Sequence, residues 1–526
     1  MTDTENPHEK LMKLWTDGAK ATADAMQAFF DTATQAAKTG PATASGDAAV
    51  RDEGSDWIAT WGKTVAELSS LQAQFLGGLV RDLPEAARER LNLGAFSQLE
   101  RLGSANWEEE LRRLSEVPAA MTERLSQANP ERMGRLLQSM TREYLADLEG
   151  LKSSGFTVDT NALANAWTQV MTGSKDAKSQ QLVNRFVEAL TVKARYGSEY
   201  YADPDKTPVG QTPRTVVHQD GKISLYRYDR PDNAPEPQGD PVLLVYSVIN
   251  KTYILDLLPG FSFVEHLLAE GLDVYMVEWG ETEPGDRTTT LDSYIDPGIT
   301  GCLAAIRERT GKEKVSLFGH CIGGNLALMV AALHPDKVSR VTTLTTPITA
   351  AEGGVVAVWT DRDLFPVDAI VDATGHMPAK LIRHTFMVLK PYYEVMKWKM
   401  FLEKLGDEDV MKLFYPVDRW ANDNVDIPGA VFRKFVDEVF HANRFSNSET
   451  RIHGERVDLK NITCPVMNLT ATRDWVVPPP SAECLGDLVG SDDYRHVSIE
   501  GAHVTIMIDP RSRPLWTTMS DFLRGE

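Results

Sequence analysis

Three side chains of the 526-residue sequence have the types and the order needed for covalent catalysis: Cys321, Asp474 and His503. Cys321 lies in "FGHCIGG" (residues 318–324), the frame in which a hydrolase usually holds a serine. An apolar run, "KVSLF", precedes it and an alanine-leucine helix pattern, "NLALMVAALH", follows. Strand, sharp turn and helix in that order make the strained elbow that lifts a nucleophile above a sheet. Gly319 and Gly323 relieve crowding around such a residue, and Gly324 lets the helix approach the strand. The helix N-terminus beside Cys321 favours a thiolate. A buried cysteine in a tight turn is the plainer reading, but it leaves the strand–turn–helix context without a purpose. His320, next to the nucleophile, is read as structural, because an elbow neighbour points away from it.

Such a site takes its acid and its base from loops after later strands, in the order nucleophile, acid, histidine. "CPVMNLTATRDWVVPP" is an apolar strand ending in a polar loop that carries Asp474. "YRHVSIEGAHVTIM" is another strand, then a Gly-Ala turn carrying His503. Asp474 could instead be a turn residue, and His496 competes with His503. His496 falls inside an alternating strand, however, whereas His503 follows one. An oxyanion hole would combine the backbone N–H of Ile322 with one after "VLLVYS", most simply that of Val248 or Ile249.

The elements that must position these groups begin near residue 210. "KISLYRYD", "PVLLVYSVI", "LDVYMVEWG", "KVSLFG", "VSRVTTLTT" and "CPVMNLTAT" read as strands. Helical patterns separate most of them: "SFVEHLLAEG", "IDPGITGCLAAIRERTG" and "GGNLALMVAALHPDKV". The alternation predicts a mostly parallel sheet with helices on both faces. It stops over about 350–458, a stretch rich in aromatics and methionine that reads as a helical cap or lid inserted above the sheet. Residues 206–526 are therefore taken as the catalytic domain and 1–205 as an all-helical N-terminal region. In that region Trp57, Trp61, Val65, Leu68, Phe75 and Leu79 share one helix face, after a polar linker "KTGPATASGDAAVRDEGS". The face packs on the protein itself or serves a partner subunit or an apolar particle.

Composition narrows the function. The chain is 42% hydrophobic and 25% charged, as soluble globular proteins are. No apolar run approaches the roughly 18–20 residues of a membrane span, and "MTDTENPHEK" does not read as a signal peptide. A net charge of −20 argues against a nucleic-acid partner. None of the four cysteines, Cys302, Cys321, Cys464 and Cys484, pairs at CxxC spacing, so no zinc site or disulfide framework is expected. No metal or nucleotide motif is present, and a reducing cytoplasm would keep a working thiol free.

Over roughly residues 208–515 the sequence resembles a polyhydroxyalkanoate (PHA) synthase, the catalytic subunit. "VGQTPRTVVHQDGKISLYRY", "SVINKTYILDLLPGFSFVEHLLAEGLDVYMVEWG" and "GHCIGGNLALMVAALHPDKVSRVTTLTTPI" are similar to that family's first strands, its Asn-Lys/Arg-x-Tyr segment and its cysteine lipase-like box. The separations of 153 residues from Cys321 to Asp474 and 29 from Asp474 to His503 agree with class III, the subtype with a short catalytic subunit and a separate helical partner. Trp475 stands where family members commonly have histidine, and the N-terminal region is longer than a class III catalytic subunit carries.

The resemblance implies an α/β-hydrolase fold with Cys321 as acyl-accepting nucleophile, His503 as its base and Asp474 as the third member. It implies that 350–458 caps the site and takes part in dimer contacts. The expected reaction is polymerisation of (R)-3-hydroxyacyl-CoA with release of CoA, which enters as substrate, with no cofactor. Expected partners are the polymer granule surface, a second copy in a homodimer, and a helical partner subunit or phasin; the expected location is the cytoplasm, at granules. A cysteine hydrolase (a thioesterase, a depolymerase or an enzyme like the dienelactone hydrolases) and a non-catalytic granule scaffold are the competing readings. The long insertion and the complete set of three residues weigh against them.

Overall fold

The computed structural model describes residues 209–350, 367–379, 381–383, 386, 397 and 408–526. All belong to the second of the chain's two units, Thr207–Glu526. The helical region expected over 1–205 and parts of the expected cap lie outside the described residues.

Eight strands form one sheet: β1 (Arg214–Asp220), β2 (Ile223–Tyr228), β3 (Val242–Val245), β4 (Val274–Glu278), β5 (Val315–His320), β6 (Val338–Leu344), β7 (Val466–Ala471) and β8 (Tyr494–Ile499). Their order is β1-β2-β4-β3-β5-β6-β7-β8. β2 runs antiparallel to both of its neighbours, and every pairing from β4 to β8 is parallel. The run lengths explain the arrangement. β3 ("VLLV"), β5 ("VSLFGH") and β7 ("VMNLTA") are buried at every residue, as strands covered on both faces must be. The edge strands β1 and β8 keep exposed positions.

Helices cover the sheet. α1 (Phe263–Ala269) starts where Ser262 accepts the N–H of Glu265, and Phe263 packs on Phe318 of β5 at 5.1 Å between ring centroids. α2 (Thr300–Thr310) begins later than its sequence pattern suggests. Pro297 lacks an N–H and Asp296 is far from helical geometry (φ −136°, ψ 115°), so the preceding turn is separate. α3 (Ile322–Leu333) is buried from Ile322 through Ala332, because it packs on β5 and β6 rather than lying at the surface. The parallel strands all end at one edge of the sheet, so the loops after β3, β5, β6, β7 and β8 converge there.

Between β6 and β7 the described part of the insertion contains α4 (Val367–Thr374), α5 (Glu408–Asn422) and α6 (Gly429–Val436). A short antiparallel pair, His376–Met377 with Ile427–Pro428, ties α4 to α6. The end of α5 and the segment after it are anchored to the loop after β3: Trp420 Nε1 donates to Lys251 O and Val425 N–H donates to Ile249 O, both at 2.9 Å. Tyr253 donates to Asp423 (3.0 Å), and Thr282 Oγ1 donates to Asp426 O (2.5 Å). α7 (Arg513–Arg524) closes the fold, with Trp516 edge-on to Phe263 at 5.8 Å.

Candidate active site

Cys321 stands between β5 and α3 in a conformation that side chains rarely adopt (φ 54°, ψ −127°). Such strain persists only where the surroundings fix it. Here its N–H donates to Leu344 O and its carbonyl accepts from Gly324 N–H, each at 2.9 Å. The glycines permit the close packing that holds this turn. A Cβ on Gly323 would collide with the carbonyl oxygen of Val245, one on Gly324 with the Thr346 side chain, and one on Gly319 with the Gly324 Cα. No residue but glycine fits at these positions, so their spacing follows from steric need.

The loops after β7 and β8 bring Asp474 and His503 together. Asp474 Oδ1 accepts the N–H groups of Val476 and Val477, both at 2.9 Å, which leaves Oδ2 to meet His503 Nδ1 at 2.7 Å. His503 also lies within electrostatic reach of the Cys321 side chain. Burial alone would lower the His503 pKa. The Asp474 charge, the charge of a Cys321 thiolate and the hydrogen bond to Asp474 outweigh it and raise it to about 10. Burial pushes the other thiols the opposite way from a nucleophile's needs: Cys302 up to about 12, Cys464 up to about 11, and Cys484 upward. His496, the competing histidine, is exposed on β8 with its ring nitrogen 3.0 Å from Thr470 Oγ1.

Val248 and Ile322, whose amides are the candidate oxyanion donors, line one apolar pocket together with Leu326. The insertion supplies the facing wall through Val431, Phe432 and Phe435. The Ile249 amide faces Ser247 Oγ at 3.4 Å, which leaves Val248 as the less engaged of the two candidates in that loop. Trp475, beside the acid, meets Phe386 of the insertion edge to face, with centroids 5.9 Å apart.

One buried residue at the site, Tyr246, escaped sequence reasoning, and His320, read there as structural, lies against His503. Tyr246, directly after β3, stacks on His320, and His320 abuts His503 edge-on, with centroids 5.1 Å apart in both pairs. An aromatic side chain closing a buried strand was the available signal for Tyr246. For His320 there was only its place in the elbow.

Residues 240–510 match the alpha/beta hydrolase fold family, just over half of the chain. Together with the sheet order and the elbow, this defines the molecule as an α/β-hydrolase-fold protein. Over 323 residues it is 36% identical to the poly(3-hydroxyalkanoate) polymerase subunit PhaC of Allochromatium vinosum, covering 61% of this chain and 90% of that one. The proteins of the same name from Thiocystis violacea and Synechocystis sp. are 32% and 33% identical, over 64% and 58% of this chain and 95% and 82% of theirs. The chain belongs to the poly(3-hydroxyalkanoate) polymerase subunit PhaC family, a family of acyltransferase enzymes. Among the described residues no helix is long and apolar enough to cross a membrane.

Proposed function

We propose that the protein polymerises (R)-3-hydroxyacyl-CoA into polyhydroxyalkanoate, carrying the growing chain as a thioester on Cys321. The observation that carries this reading is His503, bonded to Asp474 at 2.7 Å and within electrostatic reach of Cys321 on its strained elbow.

A thiolate is an able nucleophile near neutral pH, and exchange between two thioesters is nearly balanced in energy. In loading, the Cys321 thiolate attacks the acyl carbonyl, the new C–S bond forms, and the C–S bond to CoA breaks. Acylation removes the thiolate charge, one of the causes that raise the His503 pKa. His503 then gives up its proton, which leaves with CoA as the free thiol. The neutral imidazole, oriented by Asp474, next takes the proton of an incoming 3-hydroxyl. That oxygen attacks the Cys321 thioester, the ester bond forms, the C–S bond to Cys321 breaks, and the elongated chain, now the CoA thioester of the incoming unit, is reloaded onto the restored thiolate–imidazolium pair with release of CoA. Protons balance over the cycle without an outside acid or base. The Ile322 and Val248 amides stabilise the oxyanion of each step.

Water is the competitor of the hydroxyl nucleophile, and the apolar wall of Val431, Phe432 and Phe435 suits its exclusion. In this reading the enzyme works in the cytoplasm at the granule surface, as a homodimer. Residues 1–205, or a helical partner subunit or phasin, make the polymer contacts.

The test incubates the purified protein with (R)-3-hydroxybutyryl-CoA while free thiol and insoluble polymer are both followed. Stoichiometric CoA release with polymer formation is expected. Thiol release with only monomeric hydroxy acid would replace the synthase by a hydrolase.

A further inference from the structure

His320 is a buried titratable group that the chemistry above leaves unused. Its ring lies parallel to Tyr246 (5.1 Å between centroids, 7° between planes) and edge-on to His503 (5.1 Å, 62°). Nε2 is 3.4 Å from the main-chain oxygen of His503 and 3.4 Å from Thr345 Oγ1. A carbonyl oxygen only accepts, so Nε2 carries the hydrogen and donates it. Nδ1 then presents a lone pair, which has no hydrogen-bond partner among the described residues. An unmatched buried acceptor is more readily tolerated than an unmatched N–H, which supports the same tautomer.

The ring has no freedom to drift. Tyr246 is fixed in turn, its carbonyl accepting from Trp279 Nε1 at 3.1 Å, and Trp279 stacks on Tyr294 (4.7 Å, 7°). Burial, then the charge on His503, pushes the His320 pKa down to about 3. It therefore stays neutral beside an imidazolium and adds no repulsion. The groups that face His503 are Asp474, Cys321 and His320, and those that face His320 are His503 and Tyr246.

We propose that His320 is a positioning residue: its Nε2–H holds the backbone of His503 and its ring abuts the imidazole, so that the imidazole stays aligned between Asp474 and Cys321. The elbow thereby fixes the nucleophile through Cys321 and the base through the residue before it. The proposal rests on the assigned roles of Cys321 and His503 and is independent of the product formed.

The test uses the full chain with three substitutions. His320→Phe keeps a ring but drops the donor, His320→Gln keeps an N–H at similar reach, and His320→Asn is too short. Three quantities are read: steady-state turnover of (R)-3-hydroxybutyryl-CoA, melting temperature, and the pH dependence of iodoacetamide alkylation on the Cys321 peptide, followed by mass spectrometry. His320→Phe is expected to lower kcat on the order of tenfold to a hundredfold, as misplacement of a reacting group does. KM should stay within about twofold, the signature of an interaction that acts on the chemical step. The alkylation profile should shift along the pH axis. His320→Gln should recover most of both, and His320→Asn should not. Wild-type turnover and profile in His320→Phe would overturn the proposal. So would equal losses in all three variants that track their melting temperatures, which would mark a packing role alone. If His320→Phe does not fold, the Gln–Asn pair decides, and equal kcat values overturn the proposal. If the wild type makes no polymer, the synthase reading fails while the alkylation profiles still report on His320.

Discussion

At the elbow, α3 presses so closely on β3 and β6 that the Val245 carbonyl and the Thr346 side chain occupy the space of two missing Cβ atoms. Across the pocket, α6 approaches with Val431, Phe432 and Phe435, and the insertion is tethered by hydrogen bonds such as that from Trp420 of α5 to Lys251 O. The first region is held by close backbone and side-chain contacts with no room to give. Among the described residues the second is held by apolar contact and by polar ties that include the Lys434–Asp292 ion pair, each tie worth on the order of 1 kcal/mol. Chemistry that depends on ångström-scale alignment is thus placed on the rigid side. Under the proposed function, access for substrate and polymer would fall to the side whose restraints can be broken one at a time.

The largest effect is expected at the rigid side, in Asp474→Asn. The asparagine oxygen can still accept from Val476 and Val477, so the loop survives, but its NH2 group faces His503 Nδ1 and favours the wrong tautomer. Turnover should fall by about 10⁴-fold or somewhat less, judged from the same change in serine proteases. The pH dependence of stability should change with it. A group whose pKa is raised on folding stabilises the fold fully below its unfolded value, about 6.5 for histidine, and that contribution is lost as pH rises through the folded value. For His503, raised to about 10 with burial opposing and Asp474 leading the causes that raise it, the window runs from about 6.5 to about 10. Melting temperature should decline across that window in the wild type and decline less in Asp474→Asn. Calorimetry at stepped pH checks both.

Next in size is Gly323→Ala, which drives a methyl into the Val245 carbonyl oxygen. A loss of about 3 kcal/mol is expected, read as a lower denaturant midpoint, together with loss of activity. An alanine tolerated here would show that the elbow is not the rigid region. The smallest effect is expected across the pocket. Trp420→Phe keeps the ring and removes one hydrogen bond, costing about 1 kcal/mol. It should leave overall melting little changed, speed hydrogen exchange over 420–436, and raise the proportion of hydrolysed monomer. Equal polymer and acid yields in wild type and variant would detach the insertion from water exclusion.

The same difference explains what the sequence revealed. Gly319, Gly323 and Gly324 are legible because a clash with neighbouring backbone or side chain forbids any larger residue. Buried parallel strands advertise themselves as unbroken apolar runs, which placed the turns bearing Cys321 and Asp474; the edge strand before His503 was legible from its alternation instead. The ties of the insertion are another matter. Tyr253 meets Asp423 across 170 residues and Thr282 meets Asp426 across 144, and such pairings leave no local pattern. The Val248 amide is hidden for a further reason, since a main-chain donor writes no side chain into the sequence. The late start of α2 was readable from Pro297, yet an apolar pattern continuing through it masked the break.

The central claim is that Cys321 carries the acyl chain. The measurement that tests it most directly is mass spectrometry of the protein quenched with acid during turnover of (R)-3-hydroxybutyryl-CoA, followed by peptide mapping. We predict one or more 3-hydroxybutyryl units on the peptide containing Cys321, sensitive to hydroxylamine and absent in Cys321→Ala, which should also make no polymer. Polymer formed by Cys321→Ala, or acylation confined to another residue during normal turnover, would contradict it.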